Sequence, residues 1–137
     1  MMPSVLLIED TENVRNMYAF SLAHEGFDVV PVGSAGEGLS KLSERTYDVV
    51  LLDMMLSGMS GMDLLDNYDI KALSPETKLI VLSNFDSDTI IERAKKFNID
   101  AYLTKAKYEP AQLVAFVKQL LAGTAPEDMT REALPSV

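Results

Sequence analysis

Four short apolar runs in this chain each deliver a polar residue at their C-terminal end. VLLI (5–8) is followed by Glu9 and Asp10, VVLL (49–52) by Asp53, LIVL (79–82) by Ser83, and the stretch DAYLT (100–104) by Lys105. Brought together, three carboxylates, a hydroxyl and an ammonium have a definite chemistry. Two carboxylates about 4 Å apart repel by roughly 4 kcal/mol at an effective dielectric near 20, so a cluster of three calls for a cation. Oxygen donors without imidazole or thiolate select a hard ion, and Mg²⁺ also favours a phosphate co-ligand. With the cation bound, a carboxylate can attack phosphorus while cation, ammonium and hydroxyl neutralise the phosphoryl oxygens. The pattern points to phosphoryl transfer onto an aspartate.

Taken singly, each of these residues has a plainer role. Glu9 and Asp10 precede a helical pattern, where acids cap free N–H groups and favour the macrodipole. Asp53 could start a turn. Ser83 could cap a helix that Asp86 and Asp88 also introduce. Lys105 could be a surface lysine, and Tyr102 ordinary core packing with a wet hydroxyl. The chemistry rests on their convergence, which the surrounding elements must supply.

Those elements are legible. The continuous runs VLLI, VVLL and LIVL suit parallel strands covered on both faces. FDVVPV (27–32) and DAYLT are weaker strands, and Pro31 marks the first as an edge because proline cannot donate to a central ladder. Helical patterns lie between. Val14, Met17, Tyr18 and Leu22 are expected on one face, with Gly26 at the C-terminal cap. Ser34 and Glu37 stand at capping-box spacing ahead of Leu39 and Leu42. A third helix is expected through Leu64, Leu65 and Tyr68, and a fourth through Ile90, Ile91, Ala94 and Phe97. The fifth starts near Pro110 and buries Leu113, Val117, Leu120 and Leu121 before Gly123. Strand and helix alternate five times, which predicts a flavodoxin-like (βα)5 three-layer α/β sandwich with a parallel sheet of order 2-1-3-4-5. In such a sheet all strand C-termini share one edge, and ligands bind where the order reverses, between strands one and three. Glu9, Asp10 and Asp53 are expected there.

Length and composition agree with one domain. The chain has 137 residues, 47% of them hydrophobic, with no low-complexity tract or internal repeat. A formal net charge of −9 argues against nucleic acid as a direct partner. The absence of cysteine excludes disulfides and thiolate metal sites, and the single His24 cannot build a zinc site alone. No basic leader or long apolar run suggests a signal peptide or membrane span, so a cytoplasmic protein is expected. Residues 1–122 are read as the domain and 123–137, polar, acidic and proline-flanked, as a tail or linker stub.

The acidic pair Glu9-Asp10, Asp53 with Met59 and Gly61 at M-x-G spacing behind it, Ser83, Tyr102 and Lys105 together resemble the receiver domain of two-component response regulators, from residue 4 to about 122. The resemblance implies that a histidine kinase or histidine phosphotransfer protein donates a phosphoryl group to Asp53. It implies Mg²⁺ held by Asp10, Asp53 and, through water, Glu9, with the backbone carbonyl of Met55 completing the shell. Lys105 would pair with phosphoryl oxygens. Ser83 would move toward the phosphoryl group, and Tyr102 would turn into the space it leaves. That shift would remodel a protein-binding face of the fourth helix, fifth strand and fifth helix, which is also a possible homodimer surface. Such a domain promotes its own phosphorylation and dephosphorylation and is no enzyme toward outside substrates.

Two positions depart from the family pattern. Ser57 stands where a proline usually follows the acceptor by four. Ala106 replaces the proline whose cis bond follows the lysine; since a cis bond to a non-proline residue costs about 2.5–4 kcal/mol, a trans bond is expected. Two other readings compete with phosphoacceptance: a receiver-like adaptor that works without phosphorylation, and a small phosphatase with Asp53 as nucleophile. The latter lacks a second acid two residues on and a histidine base.

Overall fold

The computed structural model of the protein describes residues 2–56, 58–70, 75–84 and 88–124, the side chains of Asp88 and Ile90 excepted. Ser57, Asp86 and residues 125–137 of the expected tail lie outside the described residues. Five strands alternate with helices: β1 (Ser4–Ile8), α1 (Glu12–His24), β2 (Asp28–Val32), α2 (Ala35–Glu44), β3 (Val49–Asp53), α3 (Gly61–Asn67), β4 (Lys78–Ser83), α4 (Asp88–Lys95), β5 (Ala101–Thr104) and α5 (Pro110–Ala122). A 3-10 turn, Lys105–Lys107, follows β5. The sheet is parallel throughout, in the order β2-β1-β3-β4-β5, as the alternation of patterns requires. Pro31 lies on the edge strand β2.

Side-chain alternation splits the core into two layers. Leu6, Ile8, Val50, Leu52 and Val81 face α2, α3 and α4, where Ala35, Leu64, Leu65, Ile91 and Ala94 complete one buried cluster. Val5, Leu7, Val49, Leu51, Ile80 and Leu82 face the other way, against Tyr18 and Leu22 of α1 and Leu113, Phe116 and Val117 of α5. Every residue of β1 and β3 is buried, which explains why both runs are unbroken.

Helix details depart from the sequence expectation at a few points. Met17 is 46% exposed. Val14, Tyr18 and Leu22 form an i, i+4 row, and Met17 lies about 100° round the helix from Tyr18, off the edge of that stripe. α3 ends at Asn67, with Tyr68 as its exposed C-cap residue. α4 ends at Lys95, so Phe97 packs against the core from beyond the helix. Leu121 is only partly buried. Ser34 accepts from the Glu37 N–H as expected, but the Glu37 carboxylate returns to the N–H of Gly33, one residue before the cap. Gly26, at φ 94°, follows the C-cap residue Glu25.

Gly61 ties helix to site. A Cβ there would stand 2.5 Å from the carbonyl oxygen of Asp53 and 2.8 Å from Cα of Met54. The same glycine donates its N–H to the Met54 carbonyl at 3.1 Å. The start of α3 therefore lies directly on the backbone that presents Asp53, and any side chain would push the two apart. Gly61→Ala is expected to lower stability by about 1–3 kcal/mol, the usual range for overpacking, as measured by urea unfolding. A variant as stable as wild type would mean that this contact yields freely.

Candidate functional site

Strand register brings the polar residues into one row. Ile8 pairs with Leu52, so Glu9 falls beside Asp53. Asp53 pairs with Leu82, which puts Ser83 one step further, and Ser83 pairs with Thr104, which puts Lys105 one step beyond that. The residues come from four strands of the same edge, at the crevice between β1 and β3 where the strand order reverses.

One oxygen atom from each of Glu9, Asp10 and Asp53 lies within 4.8 Å of the others. Glu9 is fully buried and Asp53 is 2% exposed, while Asp10 is half-buried. The ammonium of Lys105 donates to Glu9 Oε1 at 2.5 Å and stands 3.2 Å from Asp53 Oδ2. The remaining oxygens have backbone partners: Thr11 N–H donates to Glu9 Oε2 at 3.2 Å, and Met55 N–H to Asp53 Oδ1 at 3.0 Å. Glu9 therefore takes the capping role its position suggested, accepting from an amide at the entry to α1, and also pairs with the lysine. The pairing with Lys105, 96 positions away, was not foreseen.

Ser83 is fully buried beside Asp53 in the sheet, and Tyr102 is 6% exposed, its ring packed in the cluster beneath α2, α3 and α4. Met55 projects outward and is 55% exposed; Asn84 is exposed as well. No cis peptide bond occurs among the described residues, so the Lys105–Ala106 bond is trans, as expected. With alanine after it, Lys105 still reaches both carboxylates.

The electrostatics follow from burial. Desolvation pushes the Asp53 carboxyl up from the ordinary carboxylate range to about 7, and the hydrogen bond and charge of Glu9 act in the same direction. The Met55 N–H and the Lys105 ammonium oppose them without prevailing. Burial pulls the Lys105 ammonium down, but the Glu9 hydrogen bond and the Asp53 charge outweigh it and hold the group above its usual value. Three carboxylates against one ammonium leave the pocket short of positive charge. The donor set is oxygen only, which fits a hard divalent cation and suits neither zinc nor copper.

Sequence reasoning missed Arg15. Its Nη1 donates to the backbone carbonyl of Glu9 at 2.9 Å and reaches that of Asp10 at 3.4 Å. A signal was present, because a cation in the first turns of a helix opposes the macrodipole and needs a reason to be there.

The response regulator receiver domain family model matches residues 5–118. Among curated proteins, the sensory transduction protein RegX3 of Mycolicibacterium smegmatis is 33% identical over 127 residues, covering 93% of this chain and 54% of that protein. The chain spans about half the length of the curated relatives it matches. Among solved structures, a CheY-like receiver domain protein from Methanospirillum hungatei superposes with a TM-score of 0.81 at 26% identity, covering 90% of this chain and 97% of that one. The response regulator DrrB of Thermotoga maritima, an OmpR/PhoB homologue, gives 0.79 at 28%, covering 93% and 56%.

The raised Asp53 carboxyl has a consequence for stability. In the unfolded chain this group ionises near its ordinary value of 3.8, whereas the folded chain holds its proton until about pH 7. The folded state thus binds the extra proton between these values, and stability falls as pH rises through that window, levelling off above it. Asp53→Asn, which cannot ionise, is expected to gain on the order of 2 kcal/mol over wild type at pH 8 without divalent metal, and little at pH 4. Urea unfolding at both values checks this; equal stability at pH 8, or the same gain at pH 4, would contradict it.

Proposed function

The chain belongs to the response regulator receiver domain family, and from that premise we propose that it is an active phosphoacceptor with Asp53 as the acceptor. The observation that carries this reading is the buried Asp53 carboxylate with Lys105 at 3.2 Å and Glu9 and Asp10 around it. A phosphohistidine on a histidine kinase or a histidine phosphotransfer protein is the donor. An Asp53 oxygen attacks phosphorus and the P–N bond breaks. The histidine, already protonated at its other ring nitrogen, keeps the bonding pair and leaves as neutral imidazole. Asp10, Asp53, the Met55 carbonyl and, through water, Glu9 would hold Mg²⁺, which supplies charge neutralisation for the phosphoryl oxygens.

This chain's own residues supply the rest. The Met55 N–H steers the Asp53 carboxylate by holding Oδ1. The Lys105 ammonium, already against Oδ2, turns toward the incoming oxygens and adds positive charge as they become more negative. Ser83, from the neighbouring strand, donates its hydroxyl to the phosphoryl group. Tyr102 follows into the space, and the face built from α4, β5 and α5 changes shape, biased by the new dianion. That face meets a downstream protein or a second copy of the chain. The receiver occupies 1–122, with 123–137 as a tail or linker, and works in the cytoplasm; no helix among the described residues is long and apolar enough to cross a membrane.

Incubation with MgCl₂ and a small acyl-phosphate donor is expected to add the mass of one phosphoryl group, and Asp53→Asn to abolish the gain. No gain with any donor, including a phosphohistidine protein, would favour a phosphorylation-independent adaptor. Steady turnover of unrelated phosphoesters would favour a phosphatase.

On this reading Met55, two residues after the acceptor, and Asn84, one after Ser83, flank the entrance to the acyl phosphate and limit water there; both are exposed. Met55→Asn combined with Asn84→Ala is expected to speed its decay severalfold, about 1 kcal/mol in barrier, followed by loss of the added mass over time. An unchanged decay rate would remove both side chains from any control of lifetime.

A further inference from the structure

Arg15 occupies the first turns of α1, half-buried, where its charge is unfavourable to the helix macrodipole. Its guanidinium lies behind the turn that carries Glu9 and Asp10. Nη1 donates to the Glu9 carbonyl at 2.9 Å and reaches the Asp10 carbonyl at 3.4 Å. The Glu9 N–H is meanwhile held by the Val32 carbonyl of β2 at 3.1 Å, and the Glu9 carboxylate accepts from Thr11. The acidic turn is thus gripped at its amide, its carbonyls and one carboxylate oxygen.

Gly33, in the loop after β2, completes the seat. A Cβ on Gly33 would stand 3.0 Å from Nη1 of Arg15 and 3.6 Å from its Cζ. The guanidinium lies over a residue with no side chain, and the Gly33 N–H is itself held by the Glu37 carboxylate at 2.9 Å. A side chain there would make the fork give by a few tenths of an ångström.

We propose that Arg15 is a positioning residue for the divalent-cation site: by bonding the two carbonyls of the Glu9–Asp10 turn, it fixes the backbone from which both carboxylates project. This rests on the reading of the acidic trio as a Mg²⁺ site. Arg15 touches neither the cation nor the phosphoryl group in this role. Charge and position predict opposite signs, which makes the role testable. If Arg15 acted only through its positive charge, removing it would strengthen cation binding to the nearby carboxylates. If it acts by holding the turn, removing it weakens binding, as loss of groups that orient metal ligands does.

The experiment titrates MgCl₂ into metal-free wild type, Arg15→Met and Gly33→Ala, following backbone amide resonances. Gly33→Ala keeps the charge and makes the fork give by a few tenths of an ångström, lengthening its bonds to the carbonyls, and it tests the idea alone if Arg15→Met does not fold. Arg15→Met is expected to bind Mg²⁺ about tenfold more weakly, and Gly33→Ala to bind it more weakly by a smaller, still measurable factor. In the metal-free proteins the amides of Asp10 and Thr11 should exchange faster, while those of β3 and β4 stay as in wild type. Wild-type affinity in Gly33→Ala, or equal or tighter binding in Arg15→Met, would overturn the proposal. A wild-type protein with no saturable response to MgCl₂ would instead overturn the cation site itself, and the role of Arg15 with it.

Discussion

Two carboxylates buried at the end of the sheet share one ammonium, and the rest of the site is arranged around that imbalance. Glu9 and Asp53 are almost wholly removed from water, and Lys105 touches both. Buried charge is tolerated only when paired and hydrogen-bonded, so each remaining carboxylate oxygen recruits a backbone N–H, from Thr11 or Met55. Burial, reinforced by Glu9, still outweighs these partners, and Asp53 holds its proton to about pH 7. A site of this kind spends some folding stability to keep a carboxyl group in a dry place short of positive charge. On the proposed reading, that shortage is what the cation and then the phosphoryl chemistry exploit.

The sheet is what makes the imbalance possible. Register alone sets Glu9 beside Asp53, Ser83 one step past its partner, and Lys105 one step past that. Strands buried on both faces resist slippage, because a one-residue shift would turn every apolar side chain to the wrong layer. The loops are then fastened to this frame from outside: Gly61 lets the start of α3 lie on the backbone of Asp53, and Arg15 grips the acidic turn from behind.

Much of this was readable from residue types. VLLI, VVLL and LIVL carry no polar residue because both faces of their strands are covered, so the runs themselves disclosed a central parallel sheet. Pro31 disclosed an edge. Once strand ends were assigned, the convergence of Glu9, Asp10, Asp53, Ser83 and Lys105 followed from topology. What escaped was of another kind. The Lys105–Glu9 pair depends on how two long side chains share a crevice, and no local pattern encodes it. The close approach at Gly61 is a contact between two backbones, so only the absence of a side chain hints at it. Met17 was misplaced because apolar character does not distinguish the centre of a helical stripe from its margin. Arg15 did leave a trace, a cation at the wrong end of a helix.

The state of the buried carboxylates is open to direct measurement. Titration calorimetry of MgCl₂ into the metal-free protein at pH 6.5, repeated in buffers of different ionisation enthalpy, counts the protons released on binding. If Asp53 holds its proton to about pH 7, binding releases a substantial fraction of one proton, and affinity weakens further as the pH is lowered toward 5.5. Release should vanish in Asp53→Asn. Binding that releases no proton, with affinity unchanged between pH 8 and 5.5, would contradict the picture of a carboxylate left short of positive charge.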